Sequence, residues 1–107
     1  MPTFALASSS SSASRADVLE SGYVAATKVV GTNQIEATAG NFRLIARQHL
    51  SIHNKGPSII YVGPEGVTTQ TGRPIFVDQI LDMPIGDIGV FLVAESEDNS
   101  VTIQELA

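Results

Sequence analysis

FRLIARQHLSIHNKGPSIIYVG, residues 42–63, is the stretch that decides the fold. Through most of its first half, apolar residues occupy even positions, and arginines, histidines and a serine occupy odd ones. This period of two is typical of a half-buried β-strand. The run NKGP at residues 54–57 ends that strand, because Asn and Gly tolerate positive φ and Pro donates no ladder hydrogen bond. The second apolar run, SIIYV, then predicts a partner strand in a β-hairpin.

Short strand patterns separated by turns continue on both sides of this stretch. Upstream, YVAATKVV at 23–30 and residues 34–38 read as strands. Downstream, PIFVD at 74–78 reads as an edge strand because it begins with Pro, and residues 79–83 fit either a strand or a helical turn. GVFLVA at 89–94 reads as a strand buried on both faces, and VTIQEL at 101–106 closes a second hairpin. The sequence therefore predicts an all-β fold, a small antiparallel β-sandwich or barrel.

The N-terminal segment has a different composition. MPTFALA at residues 1–7 is mildly apolar, and five serines follow at 8–12. This composition predicts an extended N-terminal arm and Ser-rich linker over residues 1–14, followed by a β-sandwich domain over 15–107. Residues 15–22 fit one or two helical turns or extended chain. Pro2, Phe4 and Leu6 are the predicted anchors of the arm at an interface, and a disordered tail is the alternative.

Composition restricts the classes of partner. The 107 residues carry a net charge of −5, which disfavours a general nucleic-acid binder. Residues 1–60 hold five Lys/Arg and three Asp/Glu, whereas residues 61–107 hold one and eight. This polarity favours head-to-tail packing of copies or reflects solvated loops. No apolar run approaches the roughly 20 residues of a membrane span, and no basic region precedes the apolar start as in a signal peptide. We therefore expect neither nucleic acid nor membrane as a partner.

No group of residues has the spacing of a reaction centre or a cofactor site. His49 and His53 stand at i, i+4, but on a strand this places them roughly 13 Å apart, too far to share one metal ion. The acidic run ESEDN at 95–99 lacks the ligand spacing of a calcium loop and reads as a turn. The chain contains no cysteine and no nucleophile elbow or phosphate loop. We expect no enzyme activity and no cofactor.

One set of polar residues is a candidate interface. Arg43, Arg47, His49 and His53 fall on odd positions of the first predicted strand and would form a basic stripe on one strand face. Such a stripe could dock an acidic surface, such as the one carrying Glu95 on another copy. A solvated sheet face is the alternative, since exposed ion pairs contribute little individually.

The segment from Phe42 to Ala107 resembles a group of small structural proteins of tailed-bacteriophage virions. The shared elements are LSIHN at 50–54, IYVG at 60–63, VTT at 67–69 followed by Gly72 and PI at 74–75, and VTIQEL at 101–106. The Pro-Gly-Glu turn usual in that group is absent, and VDQ stands near its place at 77–79. The resemblance covers about three-fifths of the chain and leaves the first forty residues unmatched.

The resemblance implies a virion structural role and supplies no catalytic residues. The first hypothesis is a capsid decoration (cement) protein that binds the major capsid protein and stabilises the head lattice. It would assemble in the host cytoplasm as a trimer or other homo-oligomer, with its arm on the capsid protein or on a neighbouring copy. A neck, head-fibre-base or tail component is the alternative within this class. A host receptor- or glycan-binding module is the alternative from another class, although the low aromatic content, 6%, counts against it.

Overall fold

Eight β-strands make up the regular structure of residues 22–107, which are the residues that the computed structural model describes. In chain order they are β1 (Tyr23–Val30), β2 (Ile35–Glu36), β3 (His49–Gly56), β4 (Ile60–Gly63), β5 (Arg73–Ile75), β6 (Ile80–Met83), β7 (Phe91–Ala94) and β8 (Asn99–Leu106). The predicted arm over residues 1–14, with Pro2, Phe4 and Leu6, lies outside the described residues. So does most of the segment assigned to helical turns or extended chain.

The strands form two antiparallel sheets of four strands each. The first sheet has the order β1-β8-β3-β6, and the second has the order β2-β7-β4-β5. The described chain is therefore all-β, as predicted, and is consistent with a small β-sandwich. Residues 79–83, which the sequence left open, contain a strand at one edge of the first sheet, and β5 forms an edge of the second sheet as its Pro74 predicts.

The core lies between the sheets and follows from the alternation along the longest strands. In β3 the even residues Leu50 and Ile52 are buried, and in β8 the odd residues Val101 and Ile103 are buried. The register places Ile52 directly opposite Ile103, so these side chains share the inner face of the first sheet. Buried residues of the second sheet complete the same apolar cluster, among them Ile60, Ile75 and Leu92.

Both predicted hairpins are wrong. β3 and β4 do not pair, because β3 belongs to the first sheet and β4 to the second; β7 and β8 are divided in the same way. The short connections at residues 57–59 and 95–98 therefore cross from one sheet to the other. Alternation along a strand shows which side chains are buried but not which strand is the hydrogen-bonding partner. Two successive strands can therefore lie in two different sheets that face each other across the core, instead of pairing as a hairpin.

The predicted strand starting at Phe42 is also wrong in its first half. Regular pairing begins only at His49, and residues 42–48 form an irregular loop. Within that loop the amide of Arg47 donates to the Leu44 carbonyl at 3.1 Å, and Ala46 adopts the left-handed region at φ 60°. The alternating residues 42–46 thus belong to a turn that buried polar contacts stabilise. A period-two sequence pattern does not distinguish such a turn from a strand.

No helix that could span a membrane occurs in residues 22–107.

Candidate docking surface

A fully buried ion pair lies at the base of the irregular loop. The Arg47 guanidinium donates through Nη1 to Glu105 Oε2 at 2.8 Å, and neither side chain is exposed to solvent. Arg47 also donates to the backbone carbonyls of Gly86, Ala37 and Ile88 at 2.8 to 3.3 Å. Its hydrogen bonds therefore link two other segments of chain, at Ala37 and at residues 86–88, to the carboxylate of β8.

Glu105 stabilises the same loop from the other side. Its Oε1 accepts from the Ala39 amide at 2.8 Å, and its Oε2 accepts from the Leu44 amide at 3.2 Å. A buried carboxylate needs partners of this kind, because removing a charge from water is costly unless it is paired and hydrogen-bonded. The buried pair thus holds the backbone of residues 39–48, which we call the Phe42 loop, at both Ala39 and Leu44.

Arg43 holds the outer side of the Phe42 loop. Its Nε donates to Glu36, and its Nη1 donates to Asp87 Oδ1 at 3.0 Å. These hydrogen bonds, with Glu36 the larger cause and Asp87 next, raise the pKa of Arg43. Being solvent-accessible, these ion pairs contribute little to stability, but they connect the loop to β2 and to the segment before β7.

Apolar side chains project outward from this fixed loop. Phe42 is 82% exposed and Ile45 is 48% exposed. Beside Phe42 lies a cleft of about 500 Å³, whose lining includes Val24, Ala39 and Leu44. An aromatic side chain exposed on a backbone held in place from within is suited to fill a pocket on a partner, because little conformational freedom is lost on binding.

The residues of the predicted basic stripe do not share one face. Arg43 and Arg47 lie in the Phe42 loop, and the buried Arg47 cannot contact a partner. His49 and His53 lie on the outward face of β3, both half-buried. The register places His49 opposite Leu106 and His53 between Thr102 and Ile80. The docking role stays a prediction for the two histidines and for Arg43, whose guanidinium is partly committed to Glu36 and Asp87.

The acidic turn, residues 95–98, is partly engaged within the chain. Glu97 Oε2 accepts from the hydroxyl and the amide of Thr32, and Glu95 Oε2 accepts from the Tyr61 hydroxyl at 2.9 Å. The Thr32 side-chain hydrogen bond, followed by the backbone one, lowers the pKa of Glu97. Across residues 22–107 no group of three or more His, Cys, Asp or Glu side chains could hold a metal ion.

Replacing Thr32 by Val is expected to raise the pKa of Glu97 towards its ordinary value, because the hydroxyl that stabilises the carboxylate is lost. Replacing Thr32 by Ser should leave the pKa low, since the hydroxyl is kept. An NMR titration of the Glu97 side-chain carboxyl carbon measures both. An unchanged pKa in the Val variant would contradict the assignment of the Thr32 contact. Because the folded pKa lies below the unfolded one, this contact stabilises the fold above the unfolded pKa and is lost as the pH falls through the folded pKa.

Two buried asparagines, which the sequence predicts only as turn residues, hold the β3–β4 and β7–β8 connections between the sheets. Asn54 donates through Nδ2 to the carbonyls of Ser58 and Ile75, at 2.9 and 2.7 Å, and accepts from the Gly56 amide. Asn99 accepts through Oδ1 from the amide and hydroxyl of Ser58, at 2.8 and 2.7 Å, and donates to the Ser96 carbonyl. The connections at residues 57–59 and 95–98 therefore meet at Ser58.

Comparisons with known proteins give no family. No protein-family model matches the chain. No curated protein matches it by sequence either. Among solved structures, the chain is similar to a protein described under the words "Bacillus endospore appendages form a novel family of disulfide-linked pili". The likeness has 18% identity, covers 78% of this chain and 84% of that one, and has a TM-score of 0.32, which does not establish a shared fold.

Proposed function

We propose that this chain is a structural protein of a tailed-bacteriophage virion, and specifically a decoration protein that binds the major capsid protein and stabilises the head lattice. The observation that carries the binding role is the Phe42 loop, in which an 82% exposed aromatic side chain stands on a backbone held by the buried Arg47–Glu105 pair. The virion assignment is supported by the sequence resemblance over residues 42–107.

The mechanism is adhesive. Phe42 and Ile45 enter an apolar pocket on the capsid surface, and the adjacent cleft receives a side chain of the partner in return. The contacts of Glu105 with Ala39 and Leu44 already order the Phe42 loop in the free protein. Less conformational entropy is therefore lost when the loop binds a partner. A shell in which each copy bridges adjacent capsomers resists expansion and heat better than an undecorated one.

Replacing Phe42 by Asp is expected to weaken capsid binding at least about 30-fold, the effect of losing a 2 kcal/mol anchor. The measurement is co-sedimentation of the purified full-length chain with capsid particles that lack it. Phe76→Asp is the matched control, because Phe76 is also an exposed Phe (49%) but lies next to β5, at the opposite edge of the sandwich from β1 and β2.

Binding by the Phe42→Asp variant at the unmodified affinity would reject the loop as the docking surface. Failure of the unmodified chain to bind the particles would reject the decoration role itself. The substitution places a polar side chain on the surface, so unfolding measurements should show the stability of the variant within about 0.5 kcal/mol of the original.

A further inference from the structure

An apolar groove lies beside residues 85–90, the segment that Arg43 and Arg47 of the Phe42 loop contact from its other side. It has a volume of about 280 Å³ and runs between the end of β4 and the segment that follows β6. Leu81, Met83 and Ile85 in its lining are half-buried and pack against the core. Ile88 stands on the rim and is 62% exposed. Core-lining side chains are thus reachable from solvent, and an apolar segment seated there would extend the core outward.

The N-terminal segment of the chain has the chemistry to fill this groove. MPTFALA, residues 1–7, contains no charged side chain, and Arg73 alone is charged among the groove-lining residues of the described chain. Phe4 and Leu6 are two positions apart, so both point to the same side when the segment is extended. Seating them would remove apolar surface from water without burying a charge.

The length of chain before the domain allows an adjacent copy to supply the segment. The described chain begins at Gly22, whose carbonyl accepts from the Ala107 amide, and β1 then pairs with β8 at this end of the first sheet. Met83 in the groove lies at the same end, three strand spacings or ~15 Å away. The 17 residues between Phe4 and Gly22 allow these two residues to lie up to roughly 60 Å apart. This reach is enough to place the segment in the groove of an adjacent copy.

We infer that the groove between β4 and β6 receives Phe4 and Leu6 from the N-terminal arm of a second copy of this chain. The inference rests on the proposed function, because a decoration protein is present in adjacent copies. Each copy would give its arm to one neighbour and receive an arm from another, which is a heterologous contact.

The chain contains no cysteine, so introduced cysteines can report this contact directly. Full-length Ala5→Cys, which keeps both Phe4 and Leu6, and full-length Ile88→Cys proteins are mixed in concentrated solution in a thiol–disulfide buffer, and the disulfide-linked heterodimer is quantified. The control mixture pairs Ala5→Cys with Val29→Cys, because Val29 is equally exposed, at 65%, but lies on β1 at the other edge of the sheet. Because the two cysteines are on separate chains, the heterodimer reports contacts between copies and not contacts within one copy.

The heterodimer with Ile88→Cys is expected to form at least about tenfold more readily than the control heterodimer, because seating raises the effective concentration of the two thiols. Adding Leu6→Asp to the Ala5→Cys chain should remove the difference. Equal yields for both mixtures, in solution and again on capsid particles, would overturn the inference. Since the first measurement uses no capsid, a failure there is distinct from a failure of the protein to bind particles.

Discussion

Replacing Glu105 by Ala is expected to lower the free energy of unfolding by about 3–5 kcal/mol, the largest single loss that we predict for this chain. The substitution leaves the Arg47 guanidinium buried and without its carboxylate partner, and it also leaves the Ala39 and Leu44 amides without their acceptor. Urea denaturation followed by circular dichroism measures the loss.

Two controls separate the buried pair from a general effect of removing a carboxylate. Glu65→Ala removes an exposed carboxylate and should change stability by less than about 0.5 kcal/mol. The double variant Arg47→Met with Glu105→Leu replaces the pair by apolar side chains and should lose less than Glu105→Ala. The Ala39 and Leu44 amides lose their acceptor in both variants, but only Glu105→Ala leaves a charge buried without its partner. A loss below about 1 kcal/mol for Glu105→Ala would contradict the role of the pair.

The double variant also separates stability from docking. It retains a filled core but loses the carboxylate that fixes the Ala39 and Leu44 amides. The Phe42 loop should therefore become more mobile, and capsid binding should weaken although the domain stays folded. The contrary result is that the double variant binds capsids as well as the unmodified chain, while Glu105→Ala loses both stability and binding. That result would show that the Phe42 loop does not depend on these hydrogen bonds.

Replacing Asn99 by Ala is expected to cost about 2–3 kcal/mol, the second largest loss. The amide of Asn99 satisfies the Ser58 amide and the Ser96 carbonyl in a fully buried position, and Ala would leave these groups without partners. Asn33→Ala, at an exposed turn position, is the matched control and should lie within about 0.5 kcal/mol of the unmodified chain. The comparison uses the same urea titration, and equal stabilities of the two variants would contradict the role of Asn99 in joining the sheets.

The fold class could be predicted from the sequence because alternation directly reports a sheet with one buried face. The even residues of β3 and the odd residues of β8 are buried as the pattern indicates. The pairing of strands could not be predicted in the same way. Nothing in the alternation of residues 49–63 distinguishes a hairpin from a crossing between sheets, and the buried Asn54 and Asn99 that hold the crossings look like ordinary turn residues in sequence.

The conformation of the Phe42 loop could not be predicted for a related reason. Arg47 fits a strand with an outward basic face, yet its guanidinium is buried because Glu105 reaches it from β8. A signal was present in the sequence: Glu105 continues the buried series of Val101 and Ile103, so a carboxylate at that position requires a buried partner. The partner itself is 58 residues away, and local patterns do not carry such long-range pairing.

The central claim, that the protein is a virion decoration protein, is tested most directly by its copy number in purified virions. The copy number is measured against the major capsid protein. A decoration protein should be present at a ratio near one to one or one to three. A ratio of a few copies per hundred capsid proteins would contradict the decoration role and favour a neck, fibre-base or tail position. Complete absence from the particles would contradict any structural role in the virion.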